Sequence, residues 1–330
     1  MSIEELTQDP KIWEVARYFA IAMGEVPNSF SATIRTLMGD HQKDPEQYSR
    51  GGGFLATRLL KSPSLAVPLL FASKTFHPDK VRSETVTPAE LLSMYRPLEL
   101  AALFGTMYAF RKARRRAPAD SWAPLAKVLM DASDLGGLVG LAIPKIGFAH
   151  GLLAGAFTYI SITPFILQNP KAYKEYRRKL GSKGPRYDMK AEIETLGCTH
   201  AHVASFILPS LGFGVDLAQS VTEGMMAELG AAPPVESPAY KSYIAMMWIN
   251  SLLKSGEVPD ITHKGGFYPL KADLDNLLSA ANAIKNSGST YAWLDKGKVD
   301  EPSGAATSGD EAEIPAEEIP EELQKEIDNS

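Results

Sequence analysis

The stretch Cys198-Thr199-His200-Ala201-His202 sets the chain's one cysteine beside two of its six histidines, the others being His41, His77, His150 and His263. A thiolate and two imidazoles are donors that zinc accepts, but a structural zinc site normally collects four ligands and a catalytic one three from the protein. The neighbouring residues do not complete either set. Helical spacing from Ile193 to Leu208 predicts a helix here, and on a helix residues two apart point in different directions, so His200 and His202 do not face a common ion. Asp131 and Asp134 are three apart and share a helix face, the minimum geometry for paired carboxylates. Gly136 and Gly137 follow them, where a helix end or loop would account for the acids without catalysis. His150, Asp131 and Asp134 are the residues that could meet His200 from a distance. The sequence holds no HExxH, His-Asp dipeptide, GxSxG, GxxxxGK[ST] or CxxC. Its glycine triplet, Gly51 to Gly53, reads as a flexible turn and lacks the rest of a phosphate-binding fingerprint.

Charge offers a second kind of chemistry. Residues 310–330 hold nine acids and one lysine, so the net charge of -5 conceals a body of about +3 over residues 1–309. Two basic runs stand out: Arg111, Lys112, Arg114, Arg115 and Arg116, and residues 171–190, with eight Lys/Arg against Glu175 and Asp188. Arg177, Arg178 and Lys179 are consecutive in the second run. Such fields attract an acidic protein, a nucleotide or a nucleic-acid backbone; a solvated helix end and loop is the plainer reading.

The elements that must position these residues are helical. With 330 residues, 45% of them hydrophobic, the chain can bury a sizeable core. Pro10 opens a helix with Ile12, Val15, Phe19 and Met23 on one face. FLATRLL leads into SPSLAVPLLFASKTF, and Thr87 and Pro88 suit the N-cap and first position of the next helix. Residues 120–143, 146–167 and 187–208 form further apolar stretches. The pattern restarts in SPAYKSYIAMMWINSLLK, with Tyr240, Tyr243, Met247 and Leu252 near its apolar face and Gly256 as terminator. KADLDNLLSAANAIKNSG adds a last helix. Strand-like alternation is scarce, so the chain is expected to be all-α: a helical domain or a pair of helical subdomains over 1–230, a C-terminal helical extension over 231–297 and a disordered acidic tail over 298–330.

Ile146 to Leu167 carries no charged Asp, Glu, Lys or Arg and has the length of a membrane span. His150, Thr158, Tyr159, Ser161 and Thr163 interrupt it and Pro164 bends its end, so a buried core helix is expected and no stable membrane insertion. The start, MSIEELTQDPK, is acidic and polar where a signal peptide is basic and then apolar. Together with a single cysteine, which precludes an internal disulfide, this points to the cytoplasm.

Four segments in order carry a family resemblance: LLKSPSLAVPLLFASKTF, VTPAELLSMYRPLELAALFG, HGLLAGAFTYISITPFI and IETLGCTHAHVASFILPSLGFGVDLAQSVTEGM. Over roughly residues 15–230 the chain resembles the HDOD domain, a helical output-like domain related to the HD phosphohydrolases. The resemblance implies that Leu153, Ala154 and Gly155 lead into the His-Asp dyad position, filled here by Thr158 and Tyr159. It sets the preceding histidine position at Ala132, next to Ser133, and the later histidine pair near Gly224 and Met225. Gly197 and His200 match a Gly-x-x-His pattern, leaving His200 as the one expected ligand. HD enzymes hold divalent metal with clustered His and Asp to activate water. Here the resemblance implies a non-catalytic scaffold for bacterial signalling or regulation, with no metal, no cofactor and a protein as partner. The rival expectations are a divergent metal phosphohydrolase or nucleotide-binding protein, and a nucleic-acid-binding protein using the two basic runs.

Overall fold

Proline fixes φ and lacks an N–H, both of which suit the first turn of a helix, and this chain uses it repeatedly there. In the computed structural model, which describes residues 9–81, 86–181, 187–261 and 266–296, α1 (Pro10–Ile21) begins after Asp9, whose carboxylate accepts from Lys11 N at 2.9 Å. It is followed by α2 (Asn28–Lys43), α3 (Arg50–Leu60), α4 (Pro63–Phe76), α5 (Pro88–Ser93), α6 (Pro97–Arg116), α7 (Ala119–Ala142) and α8 (Phe148–Ile160). Then come α9 (Thr163–Gln168), α10 (Pro170–Leu180), α11 (Met189–Leu196), α12 (His200–Ser210), α13 (Val215–Met226), α14 (Pro238–Lys254) and α15 (Lys271–Ser287). Short 3-10 turns cover Ala227–Leu229 and Trp293–Asp295. The described residues form no strand, as the sequence leads one to expect.

Several local expectations hold. Thr87 caps α5 in a full capping box with Glu90, and Gly256 follows α14 with φ +77°. Others need correction. Gly51, Gly52 and Gly53 are no flexible turn: they lie in the first turns of α3, where Ser49 Oγ accepts from Gly52 N at 2.9 Å. The stretch through Ile193 and Leu208 is two helices, because Gly197 takes a left-handed conformation with φ +83° and ends α11. Gly136 and Gly137 mark no helix end, since α7 runs on to Ala142. On α14 the buried face is Ile244, Ala245, Trp248, Ile249 and Leu252, while Tyr240, Tyr243 and Met247 are half-buried. The acidic tail expected over 298–330 lies outside the described residues.

The chain divides into two compact units. Among the described residues the first takes 9–25, 109–181, 187–210, 214–261 and 266–289. Its centre is α7 on α8, with α14 packed against both and against α13. Glycine makes the α7–α8 approach close: a Cβ on Gly151 would stand 2.1 Å from the Gly136 carbonyl oxygen, and one on Gly136 would stand 2.2 Å from the Gly151 oxygen. α1 packs on α12, and α15 on α7.

Among the described residues the second unit takes 26–81, 86–108, Leu211–Phe213 and 290–296. Polar bonds tie its helices together. Asp40 Oδ2 accepts from Ser49 N at 3.0 Å, Tyr48 Oη donates to the Tyr95 carbonyl at 2.7 Å, and Tyr95 Oη donates to Ser73 Oγ at 3.1 Å. The 3-10 turn returns aromatic cover to α4, with the Trp293 and Phe76 ring centroids 6.0 Å apart.

His77, just after α4, packs its ring 5.1 Å from that of Tyr95. Burial, reinforced by Lys80 and opposed by Asp79, lowers its pKa from 6.5 to about 4. The folded chain therefore resists a proton that the unfolded chain accepts. Stability is intact above about pH 6.5, declines as the pH falls toward 4, and levels off below. After discounting for solvent screening of a partly exposed ring, we expect the decline to cost about 1–2 kcal/mol. Urea midpoints measured at pH 7 and pH 4.5 for the wild type and His77→Gln should show a smaller acid loss in the variant.

Phe148–Gln168 is long and apolar enough to cross a membrane, with mean hydropathy 1.4, but 89% of its window is buried inside the protein. It is divided between α8 and α9, with Ser161 and Ile162 at the break. Arg50–Leu60 and Pro63–Phe76 pass the same length-and-composition test only as a pair, and they are bent by 102°. The core-helix expectation for Ile146 to Leu167 matches this burial.

Candidate functional site

The break at Gly197 determines what the histidines of residues 198–203 touch. Ending α11 with a left-handed residue turns the chain back, so that Glu192 on α11 meets the start of α12. Glu192 and His200 are each 0% exposed. The Glu192 carboxylate accepts from His200 N at 2.8 Å and lies 2.8 and 3.0 Å from His200 Nδ1 through its two oxygens. It also accepts from Tyr176 Oη on α10 at 3.1 Å. Tyr176 in turn accepts from Asp188 N at 3.0 Å. Carboxylate proximity and burial both favour the neutral phenol, so the Tyr176 pKa lies well above its usual 10.0, burial being the larger cause.

A second layer continues from the imidazole. The Tyr187 ring meets the His200 ring edge-on at 4.7 Å and the Tyr159 ring at 6.0 Å. Tyr187 Oη donates to Glu228 Oε1 at 2.5 Å and accepts from Asn250 Nδ2 at 2.9 Å, and Asn250 also donates to Glu228 at 2.7 Å. Burial raises the Tyr187 pKa strongly. Glu228 is exposed as a residue, yet its carboxyl is drawn against the buried phenol, and that enclosure raises its pKa too. His200 Nε2 has no hydrogen-bond partner among the described residues.

His202 faces elsewhere, as helical geometry predicts. Its Nδ1 is 2.7 Å from Thr199 Oγ1, and its ring lies 4.9 Å from that of Trp13 on α1. Cys198 is fully buried, and burial followed by the nearby Glu192 pushes its thiol pKa up, away from the reactive thiolate. The opening trio of donors is thus spread over three environments.

The positions that the family resemblance assigns are occupied by packing. Thr158 Oγ1 donates to the Ala154 carbonyl at 2.8 Å and lies 3.3 Å from Met246 Sδ on α14. Ser133 Oγ donates to the Leu129 carbonyl at 2.7 Å. Ala132 is fully buried, and its carbonyl oxygen would stand 2.2 Å from a Cβ on Gly155. Gly224 is equally confined, 2.7 Å in the same sense from the Ala239 carbonyl, and Met225 is buried. Tyr159 is 1% exposed and lines a cavity with residues of α7 and α10.

The paired carboxylates hold the end of α15. Asp131 Oδ1 accepts from Ser289 N at 3.2 Å, and Asp134 Oδ2 accepts from Ser289 Oγ at 2.5 Å. They are not brought together with His150 and His200 as one ligand set, and among the described residues no group of three or more His, Cys, Asp and Glu side chains is placed to hold a metal ion. His263 lies outside the described residues.

The basic runs are partly engaged within the protein. Arg116 donates to the Ala22 carbonyl at 2.7 Å, at the C-cap of α1, where carbonyls lack helical partners and the dipole favours positive charge, and Lys112 donates to the Glu25 carbonyl beyond that helix. Arg111 and Arg114 are half-buried on α6, whereas Arg115 is exposed. On α10 Arg177, Arg178 and Lys179 are exposed, and Lys179 donates to Thr195 Oγ1 at 3.0 Å.

Glu192, Tyr176, Tyr187, Glu228 and Asn250 were not legible as site residues. Glu192 sits eight residues before His200, a spacing with no meaning on a continuous helix. Gly197 carried the available signal, since a glycine before an apolar run marks a left-handed helix end. No protein-family model, curated protein or solved structure matches this chain.

Proposed function

We propose that the chain is an HDOD-like, non-catalytic scaffold that recognises a protein partner in bacterial signalling or regulation. The observation that carries this reading is the use of the dyad position. Thr158 spends its hydroxyl on the Ala154 carbonyl and packs on Met246, and the remaining ligand candidate, His200, is held on Glu192 and meets the Tyr187 ring edge-on. These side chains support a helical core, which in turn can present a surface. The exposed cations Arg115, Arg177 and Arg178 would supply a charged rim of the kind that steers association. The single cysteine of the chain, Cys198, supports a cytoplasmic setting.

The test uses the full chain as bait and quantifies the recovered partner. Replacing Arg115, Arg177 and Arg178 by Gln is expected to reduce recovery about tenfold at low salt and less at high salt, as screening predicts. Undiminished recovery from this variant and from a chain ending at 297 would remove the charged-surface part of the proposal. Phosphoesterase activity that needs added divalent metal and is lost in His200→Ala would replace the scaffold reading with the metal phosphohydrolase one.

A further inference from the structure

A cavity of about 320 Å³ opens beside the dyad position in the first unit, lined from α7, the α8–α9 region and α10. Leu125, Val128, Ile162, Tyr159, Tyr173 and Tyr176 make its lining largely apolar and aromatic. Lys174 and Arg177, adjacent on the α10 surface by their i,i+3 spacing, also line it, with Asp120 contributing a carboxylate. The arrangement is graded: Tyr159 and Tyr176 are 1% and 0% exposed, while Lys174, Arg177 and Asp120 are exposed. Rings therefore lie at depth and charge at the solvent end, with two cations against one acid. The first turn of α7 reaches the cavity through Asp120 and Ser121, and its N-cap, Pro118, supplies no side-chain oxygen; a helix N-terminus adds partial positive charge.

We infer that this cavity binds a small amphipathic anion, a single-ring aromatic body carrying a carboxylate or a phosphate. The volume lies at the low end of the roughly 300–1,000 Å³ usual for small-molecule pockets. The aromatic walls accept a flat apolar body, and the guanidinium of Arg177 has the planar fork that matches either headgroup. A ligand here would lie against the Tyr176 ring, whose hydroxyl holds Glu192, so the site touches the buried core without requiring any protein partner.

Ligand-observed saturation-transfer NMR on the full chain tests this with four probes: phenyl phosphate, benzoate, benzyl alcohol and inorganic phosphate. We expect at least one aromatic anion to bind, the tighter of the two identifying the headgroup, and benzyl alcohol and inorganic phosphate to bind at least about tenfold more weakly. Lys174→Gln combined with Arg177→Gln should weaken the anion about tenfold or more, with circular dichroism unchanged because both side chains are exposed. Val128→Trp, which fills the cavity, should abolish binding. Binding that survives both variants, equal binding of benzyl alcohol, or no binding of either aromatic anion at about 10 mM overturns the inference.

Discussion

Gly151→Ala is expected to lower the unfolding free energy by about 3 kcal/mol or more, although alanine is the better helix former. The added methyl would stand 2.1 Å from the Gly136 carbonyl oxygen and 3.1 Å from Gly140 N. Both are backbone atoms, so no rotamer change relieves the contact and α7 must move from α8. That displacement would also disturb α14, which packs on both helices. Gly53→Ala is the control. It too lies in a helix, but its Cβ would meet Tyr48 Cβ at an ordinary 3.9 Å, so the change should be neutral or stabilise by about 0.5–1 kcal/mol. Denaturant unfolding followed by circular dichroism measures both. A Gly151→Ala midpoint equal to that of the wild type would mean that the helices do not approach so closely.

Glu192→Ala should cost about 3–5 kcal/mol, the usual penalty for removing one partner from a buried polar pair. The loss arises from what remains: His200 N, His200 Nδ1 and Tyr176 Oη would all lose their acceptor in a site closed to water. Glu192→Gln keeps one acceptor oxygen and should lose less. A double-mutant cycle with Tyr176→Phe isolates the phenol's share, expected at about 1–2 kcal/mol of coupling. If Glu192→Ala unfolds at the wild-type midpoint, the carboxylate is not the hub that its distances imply.

Much of the helical framework was legible because its signals are local. Asp9 with Pro10, Thr87 with Pro88 and Glu90, and Ser237 with Pro238 each set a helix start through backbone geometry that a few residues determine. The candidate site was legible only in part. That His200 and His202 diverge followed from helical periodicity, but the acceptor for His200 did not, because Glu192 reads in sequence as an ordinary surface acid. Its burial depends on the turn at Gly197 and on Tyr176, 16 residues upstream. Asp131 and Asp134 show the same limit from the opposite direction: their shared face was predictable, whereas their partner Ser289 is more than 150 residues away. The apolar face of α14 was legible at Leu252 but not elsewhere, because Tyr240, Tyr243 and Met247 are large enough to look like core while the buried row runs through Ile244, Trp248 and Leu252.

The return of residues 290–296 to the second unit has a consequence for the order of synthesis. α4 is made early, yet Phe76 and Phe71 receive aromatic cover from Trp293 and Tyr291, more than 200 residues later in the chain. A growing chain cannot complete this unit as it leaves the ribosome. Its helices must wait, with part of their apolar surface uncovered, while nearly all of the first unit is translated. Such delayed long-range closure slows folding and prolongs the interval in which intermediates aggregate, so this stretch of α4 is where a nascent chain would most need a chaperone.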